Sequence, residues 1–176
     1  MSRCSCGLSG VPKAKARPKG PQPAAMICFR PPADSPLIGS TMSDANQVAA
    51  AMSYLADSAV EEIHVAGLNG RNVVLGDYMV CRGWTGGCNA PPEEIIRAVL
   101  LMGASRFILI HNHPAGAEFS PEDYHYTEMV LAASACSGVK MLDHVLVLHG
   151  GGGVSMRAFR GDMDWEGRLS RARSGR

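Results

Sequence analysis

The feature that most constrains the fold is an apolar strand pattern that lies between two helical patterns. Residues 105–110, SRFILI, form a short run that is typical of a buried strand. The preceding segment, PEEIIRAVLLMG (92–103), has Pro and two acids at its start and Gly at its end, as a helix does. Residues 121–138 form a second helical pattern that Gly138 closes. A buried strand between two helices needs neighbouring strands, so we expect a sheet with helices packed against it.

Further strand and helix patterns extend this α/β plan. Residues 60–68 and 72–80 are strand-like, and Asn69-Gly70 between them predicts a hairpin. A helix is predicted within residues 42–58, with Ser43 or Asp44 as its N-cap. Residues 139–148 are predicted as a strand, and VSMRAF (154–159) as a short one. The order α, β-β, α, β, α, β-β predicts a mixed sheet flanked by helices.

Charge is distributed unevenly along the chain. Residues 1–41 are rich in Pro, Gly, Ser and Lys, so we expect a disordered basic tail, followed by one domain (42–160) and an Arg-rich tail (161–176). Residues 42–156 carry five Lys or Arg against twelve Asp or Glu. A folded core of that sign disfavours nucleic acid, because affinity for phosphates comes from positive charge. Weak contact of nucleic acid with the basic tails stays open.

Apolar runs and cysteines bear on the cellular compartment. No apolar run approaches the roughly 20 residues that a membrane-spanning helix needs, and residues 1–20 do not have the pattern of a secretory signal. We therefore expect a cytoplasmic protein without membrane contact. The 6 cysteines match no disulfide framework, and reduced thiols are expected in that compartment: Cys4, Cys6, Cys28, Cys81, Cys88 and Cys136.

The segment HNHPAGAEFSPED (111–123) places two histidines at the end of the buried strand. His111 and His113 are two residues apart, so in an extended chain their side chains project to the same side. Asp123, in the first turn of the following helix, is near enough in sequence to supply a third ligand. Two imidazoles and one carboxylate with an open position form the ligand set of a catalytic zinc rather than a structural one.

The serine and the aspartate of this segment also fit a helix start. Ser120 stands at the N-cap position, Pro121 at the first helical position and Asp123 at the third. Capping alone would explain these residues. It does not explain two imidazoles at the end of a buried strand, which are costly to bury unless something satisfies their nitrogens.

On these residues the sequence resembles a known family. HNHPAG with SPED is similar to the JAMM signature of JAB/MPN metalloproteases, H-x-H-P followed by S-x-x-D, and the most similar branch is the RadC-like JAB domain. The likeness covers about residues 43–160 and includes EEIHVAGLNGRN, RGWTGG with PPEEIIRAVL, and LDHVLVLHGGGGVSMRAF. It implies a mixed, curved sheet flanked by helices, an architecture shared with cytidine deaminases.

The resemblance also implies roles for the matched residues. His111, His113 and Asp123 would bind zinc, and Ser120 would hydrogen-bond the developing oxyanion. Glu61 would take a proton from water and deliver it to the leaving amine. The loop between the second histidine and the serine has six residues where the family usually has seven, which leaves the aim of the serine open.

Other polar residues near these segments are less clearly assigned. Asp143 and His144 match the family's LDH strand and are interpreted as support beside the site, with a role in the core as the alternative. His64, His125 and His149 match nothing in the family and are interpreted as surface or partly buried histidines.

The neighbours Glu61 and Glu62 are distinguished by the alternation of a strand. Glu61 shares its face with Ile63 and Val65, and Glu62 shares the opposite face with His64. Because the face beside Glu61 is the more apolar, we expect Glu61 to be the more desolvated of the two.

The sequence therefore predicts a zinc-dependent hydrolase of amide or isopeptide bonds, with a peptide or an isopeptide-linked protein as substrate. Two alternatives stay open. The same metal site could act on a nucleic acid or a small molecule, or the domain could be a binding module without catalysis.

Overall fold

The computed structural model describes residues 35–83, residue 88 and residues 90–168. The helices and strands follow in the order α1 (Ala45–Ala51), β1 (Glu62–Leu68), β2 (Val74–Arg82), α2 (Pro92–Leu101), β3 (Arg106–Asn112), α3 (Pro121–Ser137), β4 (Lys140–Val147), β5 (Gly153–Ser155) and α4 (Met156–Phe159). A 3₁₀ helix (Ser53–Asp57) follows α1. In the part of the chain that is described, no helix combines the length and the apolar character that crossing a membrane requires.

The described strands form one open sheet with the order β2-β1-β3-β4-β5. β1 pairs antiparallel with both β2 and β3, β3 pairs parallel with β4, and β4 pairs antiparallel with β5. The sheet is therefore mixed, and helices cover it, as predicted. The parallel pair requires a crossover, and α3 supplies it. The chain thus leaves the sheet at the end of β3 and enters α3 directly after the polar segment.

Helices pack on both faces of the sheet. Alternate positions of a strand face opposite sides, and Ile63 and Val65 accordingly belong to a core cluster with Ile95 of α2 and Val130 of α3. On the other face, Ala66 packs with residues of α1 and of the 3₁₀ helix. The polar segment after β3 meets α3 on the first of these faces.

The predicted hairpin and the first helix are both present, with shifted ends. Asn69 and Asn72 close the turn between β1 and β2, and Asn72 has a positive φ of 59°. Asp44 is the N-cap of α1, because its Oδ1 accepts a hydrogen bond from the N–H of Gln47 at 3.0 Å. The α-helix ends at Ala51, and the rest of the predicted helix is the 3₁₀ helix.

The prediction of a strand over 154–159 is wrong in its second half. The strand ends at Ser155, and α4 begins at Met156. The hydroxyl of Ser155 accepts a hydrogen bond from the N–H of Ala158 at 3.1 Å. This capping bond favours a helical turn over an extended chain.

Packed residues continue beyond both ends of the predicted domain, 42–160. Leu37 is completely buried, and the N–H of Gly39 donates to the carbonyl of Val74 at 2.9 Å. At the other end Met163 and Trp165 are buried in the core. Single apolar residues in polar surroundings have no periodicity, so the sequence did not reveal them. The remainder of the two predicted tails, 1–34 and 169–176, lies outside the described residues.

The expectation of reduced thiols is wrong for two cysteines. Cys81 and Cys88 are joined by a disulfide, and their Cα atoms lie 6.1 Å apart, a separation that a disulfide can span. Cys136 is free and exposed. The remaining cysteines, Cys4, Cys6 and Cys28, lie outside the described residues.

The burial of Leu37 predicts that residues 35–41 contribute to stability. Leu37→Ala should lower the free energy of unfolding by about 2–5 kcal/mol, the usual cost of removing a buried leucine side chain. Urea unfolding measures this loss. The exposed neighbour Thr41 is the control, and Thr41→Ala should change the value by about 0.5 kcal/mol or less. An unchanged unfolding midpoint in Leu37→Ala would show that residues 35–41 do not contribute to stability.

Candidate metal centre

The end of β3 positions the two histidines. His111 is 1% exposed and pairs with Ile63 of β1 and with Leu146 of β4. His113, two residues further on, is half-buried. The Nε2 atoms of the two rings lie 3.0 Å apart, so the imidazoles converge as the spacing predicts.

Asp123 faces both rings from the first turn of α3. Its Oδ1 lies 3.3 Å from Nε2 of His111, and its Oδ2 lies 3.2 Å from Nε2 of His113. Glu61 joins them from the residue before β1, and one donor atom from each of the four side chains lies within 4.8 Å of every other. The structure thus brings the three predicted ligands and the predicted general base to one point.

The start of α3 shows that capping and site formation share the same aspartate. Ser120 and Asp123 form a capping box, in which the Ser120 hydroxyl accepts from the N–H of Asp123 at 3.2 Å and Asp123 Oδ2 accepts from the N–H of Ser120 at 2.8 Å. The hydroxyl of Ser120 also lies 2.8 Å from Oδ2. The two interpretations of S-x-x-D are therefore compatible, because the cap holds the carboxylate in the orientation that faces the histidines.

The electrostatics of this group favour an ionised carboxylate. Burial opposes ionisation of Asp123, but hydrogen bonds from His111 and His113 outweigh it and hold the pKa of the carboxyl well below its usual range. The hydrogen bond with Asp123 raises the pKa of His113, although partial burial opposes that shift. The negative charge of Asp123 thus stabilises a positive charge beside it, either on a protonated histidine or on a bound metal ion.

Glu61 and Glu62 point to opposite sides, as predicted, but their burial is the reverse of the expectation. Glu62 is the more buried, at 7% exposure, and its carboxylate accepts a hydrogen bond from His64 at 3.0 Å. Arg82 lies 3.4 Å from the same carboxylate. Glu61 is only half-buried because it borders an open cavity. The error arose because Arg82 of β2 and Ser58, which also contact the carboxylate of Glu62, do not appear in the local pattern of β1.

Asn112 positions Glu61, and sequence reasoning missed it. Its side chain is 1% exposed on the face opposite to the histidines. Its Oδ1 accepts from the N–H of Glu62 at 2.9 Å, and its Nδ2 donates to the carbonyl of Val60 at 3.1 Å. One amide therefore holds the backbone on both sides of Glu61. The signal available in the sequence was a polar residue between two histidines at the end of a buried strand.

His144 contacts a candidate ligand, whereas Asp143 contacts residues around the start of α4. His144 is buried against the site, with its Nε2 atom 2.8 Å from Nδ1 of His111. Complete burial, together with His111, lowers the pKa of His144 well below its ordinary value. Asp143 instead accepts hydrogen bonds from the hydroxyl of Ser155 at 2.6 Å and from the N–H of Arg157 at 3.1 Å. These contacts favour the alternative interpretation of Asp143, a structural role at the start of α4.

Two further residues contact the site without having been predicted. The Phe119 ring packs against His111 and His144, with centroid distances of 5.7 and 5.5 Å. The hydroxyl of Thr127 lies 2.7 Å from Nδ1 of His144. Thr127 follows Asp123 by four residues on a helix and therefore shares its face. That four-residue spacing was the only feature of the sequence from which the position of Thr127 near the site could have been predicted.

Of the three histidines without a family match, two lie away from the ligands and one lies at the rim of the cavity. His64 is buried beside Glu62 on the opposite face of the sheet. His149 is exposed and contacts the carbonyl of Ala56 at 2.9 Å. His125 is exposed at the rim of the cavity beside the candidate ligands.

A cavity of about 650 Å³ opens in front of the four converging side chains. Glu61, His113, Ser120 and Asp123 supply its polar wall. Its apolar lining includes Ile63, Cys88 and Met129. The loop before Ser120, although one residue shorter than is usual in the family, thus still brings the serine to the cavity.

The chemistry of the donor set fits a divalent metal ion. Around a tetrahedral zinc ion with bonds of about 2.0–2.2 Å, neighbouring donor atoms lie roughly 3.3–3.5 Å apart. The separations among His111, His113 and Asp123 are 3.0, 3.3 and 3.2 Å. Neutral imidazoles and an ionised carboxylate are common ligands of such ions, and the cavity leaves a side open for water.

Comparisons of the sequence relate this chain to known proteins. The sequence profile of the RadC-like JAB domain matches residues 42–161, which are more than half of the chain. A UPF0758 protein of Trichormus variabilis is 37% identical over 134 residues, which are 73% of this chain and 51% of that relative. A UPF0758 protein of Trichodesmium erythraeum is 37% identical over 91 residues, 51% of this chain and 37% of the relative. The chain thus spans about half or less of the length of these curated relatives.

The shared role of Asp123 predicts that its removal releases the metal. Asp123→Ala should sharply lower the content of divalent metal, measured by elemental analysis after purification, because two histidines alone make a weak site. Asp123→Asn keeps an acceptor for the helix cap and should lose metal as well. The matched control is Glu122→Ala in the same turn, which should retain it. Wild-type metal content in both Asp123 variants would leave capping as the function of this aspartate.

The bonds of Asn112 predict a second effect, on stability. Asn112→Ala leaves the buried N–H of Glu62 and carbonyl of Val60 without their partner, and it should lower the free energy of unfolding by about 1–3 kcal/mol. Asn46, an exposed asparagine whose Oδ1 contacts the N–H of Gly153 at 3.3 Å, is the control. Asn46→Ala should cost less than about 1 kcal/mol. Equal urea midpoints for the two variants would contradict this role of Asn112.

Proposed function

Because the chain belongs to the family of RadC-like JAB domains, we propose that it is a zinc-dependent hydrolase that cleaves amide or isopeptide bonds. The observation that carries the proposal is the convergence of Glu61, His111, His113 and Asp123, whose donor atoms lie within 4.8 Å of one another at an open cavity. A structural metal site would be closed to solvent, whereas a catalytic site keeps a position for water.

The ligand set supports zinc as the ion. His111, His113 and Asp123 supply two nitrogens and one oxygen, which is a combination that catalytic zinc sites use. When bound, such an ion lowers the pKa of water and polarises a carbonyl group, so that hydrolysis proceeds near neutral pH. The side chains around it then have to accept a proton, return it and stabilise negative charge.

We assign the transfer of the proton to Glu61. Its carboxylate lies at the cavity and within 4.8 Å of the donor atoms of the three ligands. In the proposed reaction it accepts a proton from the attacking water and then delivers it to the leaving amine. Asn112 fixes the backbone on both sides of Glu61, so the carboxylate is held at the cavity rather than on a free loop.

We assign the stabilisation of negative charge to Ser120. It lines the same cavity, and its backbone is fixed by the capping box with Asp123. Its hydroxyl hydrogen rotates about the Cβ–Oγ bond and can turn from Asp123 to the substrate. A donor of this kind stabilises the oxygen of the scissile carbonyl as negative charge develops on it.

The charge of the domain supports a peptide-like substrate over nucleic acid. Residues 42–156 carry five Lys or Arg against twelve Asp or Glu, which repels a phosphate backbone. Ile63 and Met129 in the cavity wall offer apolar contacts to a side chain of a peptide. We propose the cytoplasm as the compartment, where a disulfide such as Cys81–Cys88 is uncommon. The relatives are at least about twice as long as the region that they share with this chain. The proposed activity and substrate class therefore apply to this domain and not to a whole relative.

The proposal predicts different effects for two neighbouring glutamates. Glu61→Gln should lower turnover on the order of a hundredfold or more while metal stays bound, because glutamine has a similar shape but cannot accept the proton. Glu62→Gln should stay within a few fold of the wild type, because Glu62 faces the other side of the sheet. Elemental analysis and turnover are measured on the same samples.

The substrate class is tested with a panel of quenched peptide and isopeptide substrates, each assayed with and without a chelator. A chelator-sensitive activity that Glu61→Gln removes is the expected result. Activity on a phosphodiester but on no amide would replace the proposed substrate class. Metal binding without any hydrolysis across the panel would favour a binding module.

A further inference from the structure

A row of hydrogen bonds runs from the backbone of α3 to the first histidine of the site. The Oγ1 atom of Thr127 lies 2.7 Å from the carbonyl oxygen of Asp123 and 2.7 Å from Nδ1 of His144. The Nε2 atom of His144 lies 2.8 Å from Nδ1 of His111. The three side chains are between 0% and 1% exposed, so water does not compete for these bonds.

The backbone carbonyl of Asp123 at one end of the row determines which atom donates and which accepts in each hydrogen bond. A carbonyl oxygen can only accept, so the single hydrogen of the Thr127 hydroxyl points to Asp123. The oxygen of Thr127 then accepts from His144, whose hydrogen is on Nδ1. His144 is 1% exposed, and such burial disfavours a second hydrogen on its ring. Its Nε2 therefore accepts from the N–H of His111 at Nδ1. The Nε2 atom of His111 lies outside this row and faces His113 and Asp123.

We propose that Thr127 and His144 are positioning residues that hold His111 in the tautomer whose Nε2 atom can bind the metal. The inference rests on the proposed metal centre. The opposite direction of the row would place a hydrogen on Nε2 of His111, where it would block the metal. Because Thr127 also bonds to the backbone of Asp123, the same hydroxyl connects two of the three ligands.

A purely structural role for Thr127 makes a different prediction. If Thr127 only filled space, a side chain of the same shape would replace it and the hydroxyl would be irrelevant. Thr127→Val keeps the shape and removes the hydroxyl, whereas Thr127→Ser keeps the hydroxyl and removes a methyl group. A structural role predicts that Thr127→Val retains more metal affinity than Thr127→Ser, whereas a hydrogen-bonding role predicts the opposite order.

The first measurement is metal affinity, determined by competition of Zn²⁺ with a chromogenic chelator. Thr127→Val should bind Zn²⁺ about tenfold more weakly or worse, the usual scale for losing an outer hydrogen-bond partner of a metal-binding histidine. Thr127→Ser should stay within about threefold of the wild type. The matched control is Ser134→Ala, which removes another buried hydroxyl of α3 that bonds to Val139 at 2.8 Å, away from the site. It should leave the affinity unchanged.

The second measurement needs no metal. Nitrogen NMR of the full chain with ¹⁵N-labelled histidine distinguishes the two ring nitrogens, and the metal-free wild type should carry the hydrogen of His111 on Nδ1. Thr127→Val should change the tautomer population of His111 or His144, and Thr127→Ser should restore it. If Thr127→Val does not fold, Thr127→Ala removes the same hydroxyl.

Two outcomes overturn the inference. Wild-type affinity and wild-type tautomers in Thr127→Val would show that the hydroxyl has no influence on His111. Equal losses in Thr127→Val and Thr127→Ser would show that packing, not the hydrogen bond, is what matters. A wild type that binds no metal would instead refute the proposed function, while the spectra of the metal-free protein would still decide on the row of hydrogen bonds.

Discussion

A fully buried imidazole needs a partner for each of its nitrogens, and His111 imposes this requirement on the domain. His111 lies in the middle of the sheet, between β1 and β4, with 1% exposure. An unpaired polar atom at this depth is costly. His144 is the hydrogen-bond partner of Nδ1, and His113 and Asp123 are the polar neighbours of Nε2. The crossover from β3 through α3 to β4 brings these partners together.

The start of α3 shows how one structural device serves both folding and chemistry. The capping box satisfies the N–H groups at the helix start and orients the carboxylate of Asp123. A loop residue with the same carboxylate would have many orientations, each with an entropic cost to fix. Because a rigid helix carries Asp123, the positions of the donor atoms are set before any ion binds. Because the helix and not the loop orients Asp123, the carboxylate still faces the histidines although the loop after His113 is one residue shorter.

Local patterns were sufficient to predict the main strands, the two long helices and the convergence of His111, His113 and Asp123. Each of these depends on spacing within a short segment, such as the H-x-H spacing at the end of β3 or the cap of α3. The position of Glu61 at the site was implied only by the family resemblance. Partners from distant segments could not be predicted in this way. Arg82 of β2 contacts the carboxylate of Glu62, and β4 brings His144 to Thr127. The buried Leu37 and Trp165 likewise pack against elements far away in the sequence.

The short segment before α1 has a consequence for how the molecule meets its neighbours. β2 is an edge strand of the described sheet, and an uncovered edge offers backbone groups to strands of other molecules. The carbonyl and the N–H of Val74 are already bonded to Gly39 and Ser40, each at 2.9 Å. Thr41 forms a bridge with Val73 beside them. Loss of residues 35–41 would therefore do more than remove a buried leucine, because it would open one end of this edge to intermolecular strand pairing and so to aggregation.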